Sequence, residues 1–365
     1  MKHNIVFKEQ GRFGGWPANY GIWSWGDEIV VGFAVGYHKD RGEHIHSIDH
    51  DRPTVGMQAR SLDGGQTWQV GPVPAKTPGN KGMSADEHMN DELGIGSPDG
   101  LENAPQPCPG GIDFTHPDFA LMVARNSLHE GARSWFYYSY DRCRTWEGPF
   151  SLPMFDQTGV AGRTDYQVTD ANTCTLFLCG SKPNGREGRV FCYQTNDGGA
   201  TWAFLSYIAE PEPPGYKIMP ASVQLPDGRL LAALRCQGAR DSEGQAPNWI
   251  ELHESDDLGK TWQYINTPVS VTGGGGNPPV MIRLRDRRLC LVYGYRAEPY
   301  GIRGRLSEDD GQTWSDEVVL RDDAGNRDIG YPRIAQRSDG TVVAVYYYND
   351  GPQANRYIAA TLWKP

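Results

Sequence analysis

An eight-residue motif occurs five times in this chain and restricts its possible folds more than any other feature. The pattern is Ser/Thr-x-Asp-x-Gly-x-Thr-Trp, except that Cys143 replaces the glycine of the second copy. The copies begin at Ser61, Ser139, Thr195, Ser255 and Ser307. The aspartate can accept backbone N–H bonds within a tight turn, the glycine permits a positive φ, and the tryptophan packs beneath the turn. The motif therefore predicts five hairpins of one construction.

The spacing of the copies indicates a repeat architecture. Successive motif tryptophans are separated by 78, 56, 60 and 52 residues. A supersecondary unit repeated at such a period is typical of solenoids and propellers, in which each unit packs against its neighbours. The intervening segments are short, rich in Val, Tyr, Phe and Leu, and separated by Asp-Gly and Gly-Gly, which favours β-strands. We therefore expect an all-β protein.

The five copies resemble the Asp-box of the sialidase superfamily, also called the bacterial neuraminidase repeat. The resemblance extends from Ser61 to Trp314. It implies a six-bladed β-propeller with four antiparallel strands in each blade, and we expect one such domain over residues 1–365. It also implies that the motif turns lie away from the catalytic face, so we assign them a structural role only.

Recurring phrases predict where the inner strand of each blade begins. They start at Gly15, Gly110, Gly162, Ile218, Gly276 and Gly330. The sixth blade lacks the motif but offers further strands from Thr341 and Arg356. Its fourth strand is predicted at the N-terminus, in the segment NIVFKE, which would close the ring and leave no open sheet edge.

Composition excludes several classes of function. The net charge is −10 with a pI of about 5.4 and no basic block, which argues against nucleic-acid and membrane-surface binding. No 18-residue apolar run and no secretory signal are visible, so we expect a cytoplasmic protein. The seven scattered cysteines form no CxxC pair and suggest neither a zinc site nor a disulfide framework. An anionic substrate would need a local arginine cluster.

The resemblance implies a carbohydrate substrate, no cofactor, and the chemistry of a retaining sialidase. In that chemistry a carboxylic acid protonates the leaving group, a tyrosine attacks the anomeric carbon, and arginines hold the carboxylate of the sugar. The family pattern places the acid at Asp49, which lies 12 residues before Ser61, with Asp51 as the neighbouring alternative. It places the nucleophile at Tyr331, in a Gly-Tyr-Pro phrase before an Asp-Gly turn.

The same resemblance identifies candidate arginines. Arg235 ends an apolar strand, where a buried cation needs a partner. For the next arginine, Arg296 is preferred over Arg303. Arg333 is a further cation on the strand of Tyr331.

Three polar functions of the family pattern are missing. The phrase Gly15-Trp16-Pro17 has no arginine, and Tyr347 stands where its glutamate partner would fall. Met219 and Pro220 stand where a glutamate would activate the tyrosine. Because an arginine and its partner are lost together, no orphan charge is left, which indicates a redesigned site. Sialic acid is the default substrate by resemblance, and a uronic or other acidic sugar stays open.

Other groups could replace the missing ones. Arg163 and Asp165 open the third blade, where Asp165 could orient an arginine or act as a base. Trp16 and Trp23, near a blade opening, could stack on a sugar face.

Histidines of the long loop His38–Arg52 are further candidates. His44, His46 and His50 could act as acid or base near neutral pH. With Glu43 and Asp49 they could also hold a metal, although histidine-rich surface loops are more often solvated, and we predict no metal site.

Three functions are compatible with the sequence. The first is an exo-glycoside hydrolase that removes a terminal, anionic sugar. The second is a carbohydrate-binding propeller without turnover, and the third is a lyase that cleaves beside a uronate with a histidine as base.

Overall fold

The regular structure of the chain is almost entirely β. The computed structural model describes residues 1–42, 46–80, 83, 102–209, 215–351 and 353–365. Its strands are β1 (Lys2–Phe7), β2 (Arg12–Gly15), β3 (Gly21–Trp25), β4 (Glu28–Tyr37), β5 (Val55–Ser61), β6 (Gln69–Pro72), β7 (Ala120–Arg125), β8 (Ser134–Ser139), β9 (Glu147–Ser151), β10 (Val160–Ala161), β11 (Tyr166–Val168), β12 (Cys174–Ser181), β13 (Glu187–Thr195), β14 (Ala203–Ala209), β15 (Tyr216–Gln224), β16 (Leu230–Gln237), β17 (Asn248–Ser255), β18 (Gln263–Val269), β19 (Val280–Arg283), β20 (Leu289–Tyr295), β21 (Gly301–Ser307), β22 (Val318–Arg321), β23 (Gly330–Gln336), β24 (Val342–Tyr348) and β25 (Tyr357–Trp363). Two short 3-10 helices cover Pro17–Asn19 and Pro78–Asn80. No helix of this described part is long and apolar enough to cross a membrane.

These strands form six antiparallel sheets, one for each blade. Their orders are β2-β4-β5-β6 with β3 also on β4, β7-β8-β9, β10-β12-β13-β14 with β11 also on β12, β15-β16-β17-β18, β19-β20-β21-β22 and β23-β24-β25-β1. The predicted six-bladed propeller is confirmed.

The N-terminal strand completes the sixth blade, as predicted. Strand β1 pairs with β25, with Lys2 opposite Leu362 and Phe7 opposite Ile358. Strand β25 would otherwise expose a row of unpaired backbone groups. The two ends of the chain therefore close the ring within one sheet.

The motif turns have the predicted construction. In the first, Asp63 accepts the backbone N–H of Thr67 at 2.9 Å and its hydroxyl at 2.6 Å. Ser61 Oγ accepts the N–H of Gly65 at 2.7 Å. The second copy keeps the same bonds although Cys143 has a φ of +62°. Each of the five turns joins the last two strands of its sheet.

The inner strand of the second blade is predicted wrongly. We expected it from Gly110, but regular pairing begins only at Ala120, and residues 110–119 are irregular. Pro117 cannot donate to a ladder. The N–H of Phe114 instead donates to the carbonyl of Ala171, at 2.9 Å. This segment therefore bonds to a neighbouring loop rather than to β7.

Residues at the openings of three inner strands have left-handed backbone conformations. They are Trp16 in the first blade, Met219 in the fourth and Tyr331 in the sixth, with φ of +59°, +52° and +50°. Such conformations are costly for residues with a Cβ and often mark functional sites. Because all three lie at inner strands, we expect the functional site at the middle of the ring.

Candidate functional site

Tyr331 is held at the opening of β23 by its neighbours. Its backbone N–H donates to Asn277 Oδ1 at 3.0 Å, and Asn277 Nδ2 donates to the carbonyl of Ile329 at 3.0 Å. Gly330 has a φ of +104°, and a Cβ there would lie 2.3 Å from Asn277 Nδ2. Asn277 therefore holds the backbone on both sides of Gly330, at the carbonyl of Ile329 and at the N–H of Tyr331.

Three arginines surround the Tyr331 side chain. Arg235 Nη1 donates to the hydroxyl of Tyr331 at 3.1 Å, and the Arg296 guanidinium lies 5.5 Å from the ring centroid. Burial by itself raises the pKa of Tyr331, but the charges of Arg235, Arg296 and Arg163 outweigh it and lower that pKa below its ordinary value. The phenol is therefore easier to ionise than an ordinary tyrosine.

Two of these arginines are held by backbone carbonyls. Arg296 donates to the carbonyls of Gly276 at 3.0 Å and Ile329 at 2.9 Å. Arg235 donates to the carbonyl of Gly275. Both are only 8% exposed, and within the described ranges neither forms an ion pair with a carboxylate. Buried cations held in this way retain their charge for an anionic ligand.

A second group of polar side chains is centred on Asp328. Its carboxylate accepts hydrogen bonds from His46 Nδ1 at 2.6 Å, Tyr347 Oη at 2.8 Å and Arg356 Nε at 2.9 Å. Burial raises the pKa of Asp328, but the positive charges of His46, Arg356 and Arg296 hold it well below its ordinary value. Asp328 is therefore an ionised carboxylate inside the protein.

The two groups are adjacent and share a hydrogen bond. The rings of His46 and Tyr331 meet edge to face with centroids 6.3 Å apart. Arg296 Nη2 donates to Tyr347 Oη at 2.7 Å, and that hydroxyl in turn donates to Asp328. The arginine and the His46–Asp328 pair therefore belong to one network.

The tryptophans are placed differently from the sequence expectation. Trp16 is 1% exposed and packs against Phe13 and His46, with ring centroids 4.7 and 5.1 Å away. Trp23 is 7% exposed and packs against Trp146. Because a sugar needs an open aromatic face, neither can stack on one in this conformation. Trp16 supports His46 instead.

Arg163 lies near the site but has its own carboxylate. Its guanidinium forms a two-pronged ion pair with Glu187, one arm of which measures 3.2 Å, and its Nε donates to Asn19 Oδ1 at 3.1 Å. The sequence suggested Asp165 as a partner for an arginine, but Glu187 fills that role for Arg163. The charge of Arg163 is therefore largely balanced before any ligand arrives.

Asp165 and Arg333 join inner strands across the ring. Arg333 donates to the carbonyls of Ala18 at 2.7 Å and Thr164, which belong to two other blades. Asp165 accepts a bond from Ser222 Oγ at 3.0 Å. Burial raises the pKa of Asp165 to about 7, only partly offset by Arg333, and burial lowers the pKa of Arg333 to about 10. These contacts tie strands together around the site.

The predicted acid lies in a different environment. Asp49 contacts Lys39 Nζ at 3.2 Å, and Asp51 contacts the same amine at 3.0 Å. Burial raises the pKa of Asp49, but hydrogen bonds from the Asp51 N–H and from Lys39 outweigh it and lower that pKa. The described contacts of Asp49 do not include Tyr331 or its arginines.

The predicted metal alternative is only partly covered by the structure. Glu43 and His44 lie outside the described residues. Among the residues that are described, no group of three or more His, Cys, Asp or Glu side chains is placed to hold a metal ion.

Sequence reasoning missed Asp328, Arg356 and Asn277. Arg356 immediately precedes the apolar strand β25, and a charged residue next to the end of an apolar strand is the signal that identified Arg235. Asp328 precedes the Gly-Tyr phrase by two residues and could have been found as its nearest carboxylate. Asn277 carries no comparable signal.

Solved structures similar to this chain include glycoside hydrolases. A protein of unknown function from Dyadobacter fermentans is 21% identical with a TM-score of 0.71, covering 99% of this chain and 97% of that one. A Hadza microbial sialidase is 16% identical with a TM-score of 0.61, covering 96% and 66%. The α-L-arabinanase of Penicillium chrysogenum, complexed with arabinobiose, is 11% identical with a TM-score of 0.62, covering 100% and 98%. At these identities the likeness shows a shared fold.

The sequence comparisons identify a family. A family model described as a BNR repeat-like domain matches residues 115–344, which is more than half of the chain. No curated protein sequence matches the chain significantly.

Proposed function

Because this chain belongs to the BNR repeat-like family, we propose that it is an exo-glycoside hydrolase that removes a terminal sugar carrying a carboxylate. The observation that carries the proposal is the pair Arg235 and Arg296, two buried cations held by carbonyls beside Tyr331. Sialic acids and uronic acids both have the required carboxylate.

The arginines would bind the carboxylate of the sugar. A guanidinium donates to a carboxylate through two parallel N–H groups, and such charge-assisted bonds are stronger than neutral ones. Neither Arg235 nor Arg296 has an ion-pair partner within the described ranges, so a ligand carboxylate would supply the missing negative charge. The net negative charge of the whole protein does not attract an anionic sugar, so the local arginines must do so.

Tyr331 would then serve as nucleophile or transition-state stabiliser. Beside a carboxylate-bearing anomeric carbon, a tyrosine brings less negative charge than Asp or Glu. Met219 occupies the position of the expected activating glutamate, and its sulfur lies 3.5 Å from Arg235 Nη1. The lowered pKa of Tyr331 supports activation by arginines in place of that glutamate.

The test is release of phenol from aryl sialosides and aryl uronides. We expect the Arg235→Met and Arg296→Met variants to lose roughly 10- to 100-fold in kcat/KM, the cost of about 1.5–3 kcal/mol for a hydrogen bond to a charged group. Arg303→Met is the matched control, because Arg303 pairs with Glu317 at 2.9 Å and stacks on Tyr295. Equal losses in all three variants would contradict the assignment.

Two other results would identify a different function. Thermal stabilisation by an acidic sugar without phenol release would indicate a binding propeller, since a ligand that binds only the folded state stabilises it. If no acidic sugar aryl glycoside releases phenol and no acidic sugar stabilises the protein, the proposal is wrong.

A uronate-directed lyase is a second candidate, favoured by the His46–Asp328 pair beside Tyr331. Elimination needs a base, an acid and a cation to neutralise the carboxylate, and the site contains all three kinds of group. A lyase product would absorb in the ultraviolet through its new double bond, whereas a hydrolysis product would not.

A further inference from the structure

The imidazole of His46 and the carboxylate of Asp328 form a pair beside Tyr331. The sialidase pattern of catalytic residues assigns no role to this pair. We propose that His46, oriented by Asp328, is the general acid and base of the reaction in place of Asp49. This inference rests on the proposed hydrolase function. Asp328 is a positioning residue, because it acts through His46.

The location of His46 suits proton transfer at the edge of the site. Its side chain is 31% exposed, whereas Asp328 is 6% exposed. The imidazole therefore lies at the boundary between the interior and solvent, where a leaving group would depart. The imidazole is a direct neighbour of the candidate nucleophile, since the His46 and Tyr331 ring centroids are 6.3 Å apart.

Asp328 fixes the orientation of the imidazole. The 2.6 Å bond engages Nδ1, so proton exchange with a substrate would use Nε2. Arg356 donates to Asp328 at 2.9 Å and to Ser47 Oγ at 2.9 Å, and Ser47 is the next residue after His46. Trp16 packs against the ring from another side. The pair is thus held by contacts from three separate parts of the chain.

The pair is also connected to the proposed carboxylate site. Asp328 and Arg296 both bond to the hydroxyl of Tyr347, at 2.8 and 2.7 Å. The side chains that would bind the sugar and the side chain that would protonate its leaving group therefore share one rigid network. Asp49, in contrast, is bonded to the exposed Lys39.

The first step forms a sugar–tyrosine bond. The phenolate oxygen of Tyr331 attacks the anomeric carbon, and the glycosidic C–O bond breaks with its electron pair moving to the leaving oxygen. The imidazolium of His46 gives its Nε2 proton to that oxygen and becomes neutral.

The second step is the reverse proton transfer. Neutral His46 takes a proton from water while the water oxygen attacks the anomeric carbon. The bond to Tyr331 breaks, its electron pair returns to the phenolate, and His46 is again an imidazolium. Water is the only reactant besides the glycoside. Over the two steps the atoms and charges balance, and His46 and Tyr331 return to their starting protonation states.

The experiment compares leaving groups of different basicity on one acidic sugar. An enzyme without its general acid still expels 4-nitrophenol but expels phenol or an alcohol poorly. We expect His46→Gln to lose roughly 100-fold or more in kcat/KM with phenyl glycosides, and less than about tenfold with nitrophenyl glycosides, because kcat/KM reports only the step in which the leaving group departs. His129→Gln, at an exposed histidine in the second blade, is the control and should change neither rate.

Asp328→Asn should show the same dependence on the leaving group, because an amide no longer holds the imidazole in its required orientation. Near-ultraviolet circular dichroism checks that this variant is folded, and His46→Gln carries the test alone if it is not. A uniform loss of kcat/KM with every leaving group in His46→Gln would overturn the inference.

The same series separates failure of this inference from failure of the proposed function. If Asp49→Asn shows the leaving-group dependence and His46→Gln does not, Asp49 is the acid and the hydrolase function stands. If the unmodified protein releases no phenol from any acidic sugar, both proposals are wrong.

Discussion

Tyr331 owes its conformation to the residues on either side of it in space rather than to its own preference. A φ of +50° is costly for a tyrosine, and the hydrogen bond from its N–H to Asn277 offsets part of that cost. Asn277 is fully buried and also accepts the N–H of Gly294 at 3.2 Å. The geometry of the candidate nucleophile therefore depends on residues that never touch a substrate.

Gly330→Ala tests this dependence. The new Cβ would meet both a positive φ and the Asn277 amide at 2.3 Å, so we expect a loss of about 2–4 kcal/mol in unfolding free energy and reduced activity. Gly340→Ala is the matched control, because Gly340 has a φ of +84° but no atom within 4 Å of its Cβ position. Urea unfolding of both variants measures the difference, and equal losses would contradict the role of Asn277.

At the scale of elements, the five motif turns are local structures with one recurring carboxylate. In each, the aspartate accepts a backbone N–H and a threonine hydroxyl four residues later. The turn is thus completed within eight residues and needs no distant partner. This explains why the sequence alone identified all five.

The pH dependence of stability follows from these carboxylates. Hydrogen bonds from Thr261 lower the pKa of Asp257 from 3.8 to about 2, so its contribution is fully present above pH 3.8 and is lost as the pH falls towards 2. We expect Asp257→Asn to have a lower unfolding free energy at pH 7 and a shallower decline below pH 4.

Asp256→Asn is the control for this prediction, because Asp256 is the exposed neighbour outside the recurring bonds. Urea unfolding at a series of pH values gives both curves. A variant curve parallel to that of the unmodified protein would remove Asp257 from the acid response.

At the scale of the whole molecule, stability depends on closure of the ring by β1. Val6 is 5% exposed and belongs to a core cluster shared by the first, second and sixth blades, whereas Ile5 is 59% exposed. The strand therefore contributes both backbone pairing and apolar burial.

Deleting residues 2–7 should destabilise the whole protein. Loss of Val6 burial alone costs about 2 kcal/mol, and the unpaired edge of β25 adds to it. Thermal unfolding should show a lower Tm, with Ile5→Ala as the control that keeps the pairing. An unchanged Tm after the deletion would show that the ring does not need β1 for its stability.

The sequence predicted the individual site residues more completely than their partners. Asp49, Arg235, Arg296 and Tyr331 were expected in one pocket; the structure brings the last three together, whereas the described side-chain contact of Asp49 is with Lys39. Asp165 was expected to orient an arginine or act as a base, whereas the carboxylate that pairs with Arg163 is Glu187. A carboxylate that acts only through a distant contact has no local signature.

The sequence by itself determined the six-fold repeat, the motif turns and the alternation of strands with turns, because all of these depend on contacts within a few residues. Only the tertiary structure decided which side chains meet. His46 and Asp328 are 282 positions apart, and Arg235 and Tyr331 are 96 apart. Such pairs form only when the ring brings separate inner strands to a common axis, and no local pattern records that proximity.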